Sequence, residues 1–164
     1  MKNYYPLAGQ NEWHYQQKDG STYINKVTAV AGSDFTMHNS AANTSSVVRI
    51  KGDVIETDAL EKGNFQAWLP NDLETGKKWT VSFKANGLDC LLLMTVQESG
   101  MSKEVSGKIY NNVVCIEAES QIIMNGSQMA LNFFTQYYYA DGIGLILTTS
   151  TAGDMHALTD YKLH

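Results

Sequence analysis

Glu117 and Glu119 are the pair in this chain most able to do acid–base or metal chemistry. One residue separates them in Val113-Val114-Cys115-Ile116-Glu117-Ala118-Glu119. Strand geometry puts them on one face, about 7 Å apart. Two carboxylates so placed could share a proton or hold a metal, but a wetted sheet face presents the same pattern. Asp154 and His156 share a face by the same rule, and no nucleophile accompanies them. Gly142-Ile143-Gly144 has the start of a dinucleotide-loop spacing but no third glycine and no helix pattern after it. A bulge that lets a strand bend explains it better. There is no Gly-x-Ser-x-Gly elbow, no Cys-x-x-Cys, no His-x-x-x-His and no complete calcium loop. The expectation is a protein that is not an enzyme, with no catalytic residues, no metal and no cofactor.

The aromatic residues point further. Tyr137, Tyr138 and Tyr139 are consecutive in a β-rich run. Period two places Tyr137 and Tyr139 on one face and Tyr138 on the other. At least one face must therefore offer a ring to solvent, a ligand or a partner. With Trp68 and Tyr15 these three form the expected ligand or partner surface. Met94, Met124 and Met129 would add an adaptable lining. His14 sits opposite the Trp13 and Tyr15 face, exposed or at a rim.

The elements that would position these residues are short strands. Trp13 and Tyr15 alternate in the first, and Asp19-Gly20 turns it into Thr22–Val30. Gly32-Ser33 leads to a strand marked by Phe35 and Met37. Residues 39–46 read as a polar loop. Lys51-Gly52-Asp53 joins Val47–Ile50 to Val54–Thr57, and 58–63 has room for one helical turn. Phe65–Leu69 ends at Pro70. Trp79, Val81 and Phe83 share a face, and Asn86-Gly87 turns into Leu88–Glu98, expected to be a central strand. Ser99-Gly100 interrupts the chain, and Gly107 with Asn111-Asn112 brackets a short link. Val113–Met124, Asn125-Gly126 and Met129–Tyr139 form a long hairpin, and Met155–Leu163 closes the chain. The expected fold is all-β: a strongly curved antiparallel sheet, half-barrel or barrel-like, with little helix, over one domain at 1–164. A faint internal echo runs through it, because Leu7 precedes Trp13 by the same offset as Leu73 precedes Trp79. Each interval contains one glycine, Gly9 or Gly76. Both tryptophans would plug strand ends.

Composition sets outer bounds. Apolar residues are 43 % and charged residues only 18 % of 164, with a net charge of −5. Arg49 is the only arginine and the lysines are scattered, so nucleic acid is a poor partner. No run is long enough to span a bilayer as a helix. Met1-Lys2-Asn3-Tyr4-Tyr5-Pro6 lacks a signal-peptide core, which leaves a cytoplasmic protein or a mature periplasmic or secreted domain whose leader has been removed. In opposite parity on their strands, Cys90 and Cys115 are expected to be free thiols.

Four blocks resemble a broad bacterial family. Tyr4-Tyr5-Pro6-Leu7 through Asn11-Glu12-Trp13-His14-Tyr15 resembles its aromatic-aromatic-Pro-Leu-x-x-Gly-Asn-x-Trp-x-Tyr start, with the glycine one place early. Leu73 to Trp79 resembles its Leu…Gly-x-x-Trp element. Ser106-Gly107-Lys108-Ile109-Tyr110-Asn111-Asn112-Val113-Val114 looks like its small-Gly-x-aromatic-x-x-Val-Val element. Tyr138-Tyr139-Ala140-Asp141-Gly142-Ile143-Gly144-Leu145-Ile146 looks like its closing Tyr-x-x-Gly-x-Gly-Leu-Val. The family consists largely of uncharacterised lipoprotein-like or secreted β-domains, similar to periplasmic carriers with a curved antiparallel sheet. The resemblance implies a fold and carries over no catalytic residues. The functional expectation is a non-enzymatic binding domain offering an aromatic concave surface to an apolar small molecule or a protein. The alternative is a small acidic cytosolic immunity- or inhibitor-type module that binds a protein.

Overall fold

The computed structural model describes residues 2–164. No helix forms among them, so none is long and apolar enough to cross a membrane. Twelve antiparallel strands make one sheet: β1 (Glu12–Gln17), β2 (Thr22–Ala31), β3 (Asp34–Asn39), β4 (Thr44–Lys51), β5 (Val54–Thr57), β6 (Gln66–Leu69), β7 (Lys78–Ala85), β8 (Leu88–Val105), β9 (Lys108–Met124), β10 (Ser127–Ala140), β11 (Gly144–Ser150) and β12 (Met155–Lys162). Each strand pairs with the next in sequence, except that β1 pairs with β12 while β6 and β7 form the two edges. The edges lie side by side, so the sheet is a nearly closed barrel. The all-β, barrel-like expectation holds.

Period-two burial builds the wall. In β7, Trp79, Val81 and Phe83 turn inward while Lys78, Thr80, Ser82 and Lys84 face water. Tight turns fix register: Asn86-Gly87, Ser106-Gly107 and Asn125-Gly126 all have positive φ at both central residues, as two-residue hairpins need.

The chain divides into β1–β6 and β7–β12. Each half opens with the same turn. Asn11 N–H donates to Ala8 C=O, Gln10 N–H to Val27 C=O, and Val27 N–H to Asn11 C=O. In the second half, Lys77 N–H donates to Glu74 C=O, Gly76 N–H to Val96 C=O, and Val96 N–H to Lys77 C=O. Gln10 (φ 70°) and Gly76 (φ 94°) hold the same left-handed place, three residues before Trp13 and Trp79. The internal echo is thus a repeated lead-in to the first strand of each half.

The two tryptophans end differently. Trp13 is 2 % exposed, and its Nε1 donates to Ile143 C=O at 2.7 Å. A Cβ on Gly144 (φ +115°) would lie 2.9 Å from that nitrogen. Trp79 is half-buried, and its buried Nε1 has no partner among the described residues.

Several boundaries differ from expectation. The polar loop is shorter than 39–46, because Thr44, Ser45 and Ser46 already belong to β4 and pair with Asn39, His38 and Met37. Residues 58–63 form turns rather than a helical turn. Their ends are held by Asp58, whose carboxylate accepts Val47 and Gly63 N–H. Leu88–Glu98 is not central: β8 lies next to the sheet edge, where its apolar side faces the barrel interior. Neither Gly100 nor Asn111-Asn112 breaks its strand. Register shifts at Val96/Glu98, Glu98/Met101 and Met101/Lys103 instead bend the β8–β9 hairpin. Its tip packs against β10–β12, burying Val105, Tyr110 and Val113 with Ala140 and Leu147. Lys108 Nζ fastens it to Tyr161 Oη at 2.9 Å.

Candidate functional site

Register places Asn25, Asn39, Thr44, Ser46 and Thr57 on one face with Val27, Met37 and Val48. That face lines the interior of the first half. Small and polar side chains there leave a cavity of about 550 Å³, within the range of small-molecule sites, roughly 300–1,000 Å³. Met37 and Val48 are buried at its depth, with Tyr5, Ile55 and Trp68 half-buried beside them. Thr44, Ser45, Ala59, Leu60 and Lys62 are exposed at its mouth.

The hydrogen bonds of the lining are one-sided. Asp58 spends both carboxylate oxygens on main-chain N–H groups. Asn25 Oδ1 accepts Asn39 Nδ2 at 2.8 Å, and Asn39 Oδ1 accepts Ala42 N–H at 2.9 Å. Thr57 Oγ1 donates to Val47 C=O and accepts Ala59 N–H. Among the described residues, no protein partner engages the side chains of Thr44, Ser45, Ser46 and Lys62, nor Asn25 Nδ2.

An aromatic floor separates this cavity from the second half. Trp68 Nε1 donates to Tyr139 Oη at 2.7 Å, and its ring meets Tyr137 edge-on at 5.1 Å. β6 and β10 are not sheet neighbours, so these contacts cross the barrel. Tyr5, on the chain leading into β1, packs against Trp13 and Tyr139. Burial pushes the Tyr5 and Tyr137 hydroxyls up to about 12 and the Tyr15 and Tyr139 hydroxyls well above their ordinary range. All stay neutral donors at physiological pH.

The five expected surface residues separate. Trp68 alone lines the cavity. Tyr139, 3 % exposed, and half-buried Tyr137 form its floor by holding Trp68. Tyr15 is buried beneath, donating to Leu145 C=O at 2.7 Å and stacking on Tyr23. Tyr138 takes the opposite face, paired with Cys115 and half-buried with Lys103 Nζ 4.9 Å over its ring. The Tyr138 ring is thus met by this chain's own β8–β9 hairpin. Met94 is buried among aliphatics in the second half, while Met124 and Met129 lie exposed on the β9–β10 hairpin, so none of the three lines the cavity. The sequence reading missed Asn25, Asn39, Thr44, Ser46 and Lys62. For Asn25, Asn39, Thr44 and Ser46 the available signal was polarity on the inward parity of β2–β4, masked for the last three by taking 39–46 as a loop; Lys62, in the turns of 58–63, carried no such signal.

The other chemical candidates do not converge. Glu117 borders a hollow of about 360 Å³ with Phe134, Gln136 and Thr149–Thr151, and neither Glu119 nor a histidine joins it. Gln97 and Gln136 donate to Glu117, and Gln121 to Glu119. His156 Nδ1 pairs with Tyr23 Oη, and Asp154 with Ser150. His14 is half-buried and pairs with Glu12 at 2.9 Å. No group of three possible metal ligands exists among the described residues. Cys90 and Cys115 are free, and burial pushes the Cys115 thiol up.

No protein-family model and no curated protein matches the chain. Solved structures do. The "putative exported protein with YmcC-like fold" of Bacteroides fragilis has a TM-score of 0.61 at 10 % identity, covering 99 % of this chain and 100 % of that one. A "putative lipoprotein" of Parabacteroides distasonis gives 0.57 at 11 % identity, over 98 % and 99 %. The chain therefore has the fold of these two bacterial proteins, an all-β barrel-like sheet.

Proposed function

We propose that this protein is a non-enzymatic binding domain that encloses the apolar part of a small molecule inside its β1–β6 half. The observation behind this reading is the cavity of about 550 Å³ walled by Met37, Val48, Ile55, Trp68 and Tyr5. Small-molecule sites are concave, largely apolar and roughly 300–1,000 Å³ in volume. A space of this size, apolar in depth and polar at its mouth, suits a ligand. An apolar group entering it gains contacts that the walls lack.

The fluorescent apolar probe N-phenyl-1-naphthylamine tests this. It should bind the protein and quench Trp68. Ser46→Phe, projecting a ring into the cavity, should weaken binding at least tenfold while leaving the far-ultraviolet spectrum β-rich. Unchanged binding by Ser46→Phe would place the probe elsewhere and end this reading.

A further inference from the structure

The lining also constrains the ligand's polar end. Its strong acceptors are engaged: Asp58 by two main-chain N–H groups, Asn25 Oδ1 by Asn39, and Asn39 Oδ1 by Ala42. Its donors are not. The Thr44 and Ser46 hydroxyls and Asn25 Nδ2 lie on the inward face, and Lys62 lines the mouth, with no protein partner for any of them among the described residues. Lys62 is the one cationic side chain in the lining. The one anion there, Asp58, is 9 % exposed and turned toward the backbone. A mouth with free donors and a free ammonium matches an acceptor-rich, negatively charged group. Space sets the other end. A methylene fills about as much room as a water molecule's ~30 Å³ share of the liquid, so a ten- to twelve-carbon chain needs roughly 300–400 Å³. That fits the cavity.

Resting on the cavity reading above, we propose that the ligand is an anionic amphiphile with a chain of roughly ten to twelve carbons. Its chain lies against Met37, Val48, Ile55 and Trp68, and its carboxylate or phosphate head is held by Lys62 and the Thr44 and Ser46 hydroxyls.

Displacement of N-phenyl-1-naphthylamine from the full chain, with each amphiphile below its micelle concentration, decides it. Decanoate, decyl phosphate, decanol and decyltrimethylammonium share one tail and differ in the head. One of the two anions should displace the probe at about tenfold lower concentration than the cation. Lys62→Gln, at an exposed position, should weaken that anion about fivefold and leave decanol unchanged. The anion's advantage should shrink as salt rises. Equal displacement by all four, or an anion indifferent to Lys62→Gln, would overturn the head-group assignment and leave the cavity reading standing. Failure of the probe and every amphiphile to bind would remove both.

Discussion

The two halves share a lead-in turn and a six-stranded meander, yet only one is packed shut. In β7–β9 the inward positions carry Val81, Leu92, Met94, Val96, Val114, Ile116 and Ala118, and nearly all are buried below a tenth exposure. In β2–β5 the corresponding wall carries Asn25, Asn39, Thr44, Ser46 and Thr57 among its apolar residues. A buried Val, Leu or Ile gains about 1.5–3 kcal/mol from leaving water. An amide or hydroxyl costs free energy when buried unpaired, so it stays near solvent or a ligand. The same backbone plan thus yields a structural half and a hollow half according to the residues on one face. The seams between halves differ too. β1 and β12 pair along a backbone ladder. At β6 and β7, side chains do that work: Gln66 Oε1 accepts Ser82 N–H, Asn64 Nδ2 donates to Ser82 C=O, and Glu61 Oε1 accepts Lys84 N–H.

The strongest challenge to this contrast is one substitution made twice. Ile116→Ala, at a site with no exposure in the packed half, should cost about 3–4 kcal/mol in urea unfolding. Ile55→Ala, on the cavity wall, should cost less, about 1–2 kcal/mol, since that side chain is only partly buried. Equal losses would mean the halves are packed alike. Gly144→Ala should cost about 2–3 kcal/mol, from a side chain at positive φ aimed at Trp13, and should shift Trp13 emission. Alkali should strike the aromatic floor between the halves. Tyr5 and Tyr137 ionise near 12 when folded, against about 10 when unfolded. Their raised values mean the folded state holds its protons longer, so this stability is complete below pH ~10 and is lost as pH rises through 12. Phenolate absorbance rising fully at pH 10, with the fold intact, would contradict burial of the floor.

The smallest effect belongs to the side-chain seam. Lys84 N–H, and then Asn64, hold the Glu61 carboxyl below its ordinary range. That lowered value makes the seam contribution present above the usual glutamate range and lost as pH falls through the folded value. Glu61→Ala should speed amide exchange at Lys84 and leave exchange across β1–β12 unchanged. Equal exchange changes at both seams would show that they are held alike.

Strand periodicity and paired turn residues made most of this architecture legible. Trp13 with Tyr15 and the Trp79, Val81, Phe83 set announced inward faces, and Asn86-Gly87 and Asn125-Gly126 announced hairpins. The equal Leu-to-Trp offsets marked the two halves. The bend of β8–β9 was not legible, because it comes from bulges inside long strands and brings the hairpin tip onto β10–β12, a surface distant in sequence. The cavity was hidden for a related reason. Thr44, Ser45 and Ser46 have the composition of a loop, and only pairing with β3 makes them a wall. Tyr137 to Tyr139 drew attention to β10, and their rings are occupied by Trp68, Tyr5 and the β8–β9 hairpin.

Methyl-resolved magnetic resonance during titration with decanoate tests the hollow half most directly. The account predicts shifts at Met37, Val48 and Ile55, with Met94, Val114 and Ile116 unmoved. Shifts confined to the second half, or to Met124, Met129 and Leu131 on the exposed β9–β10 hairpin, would contradict it.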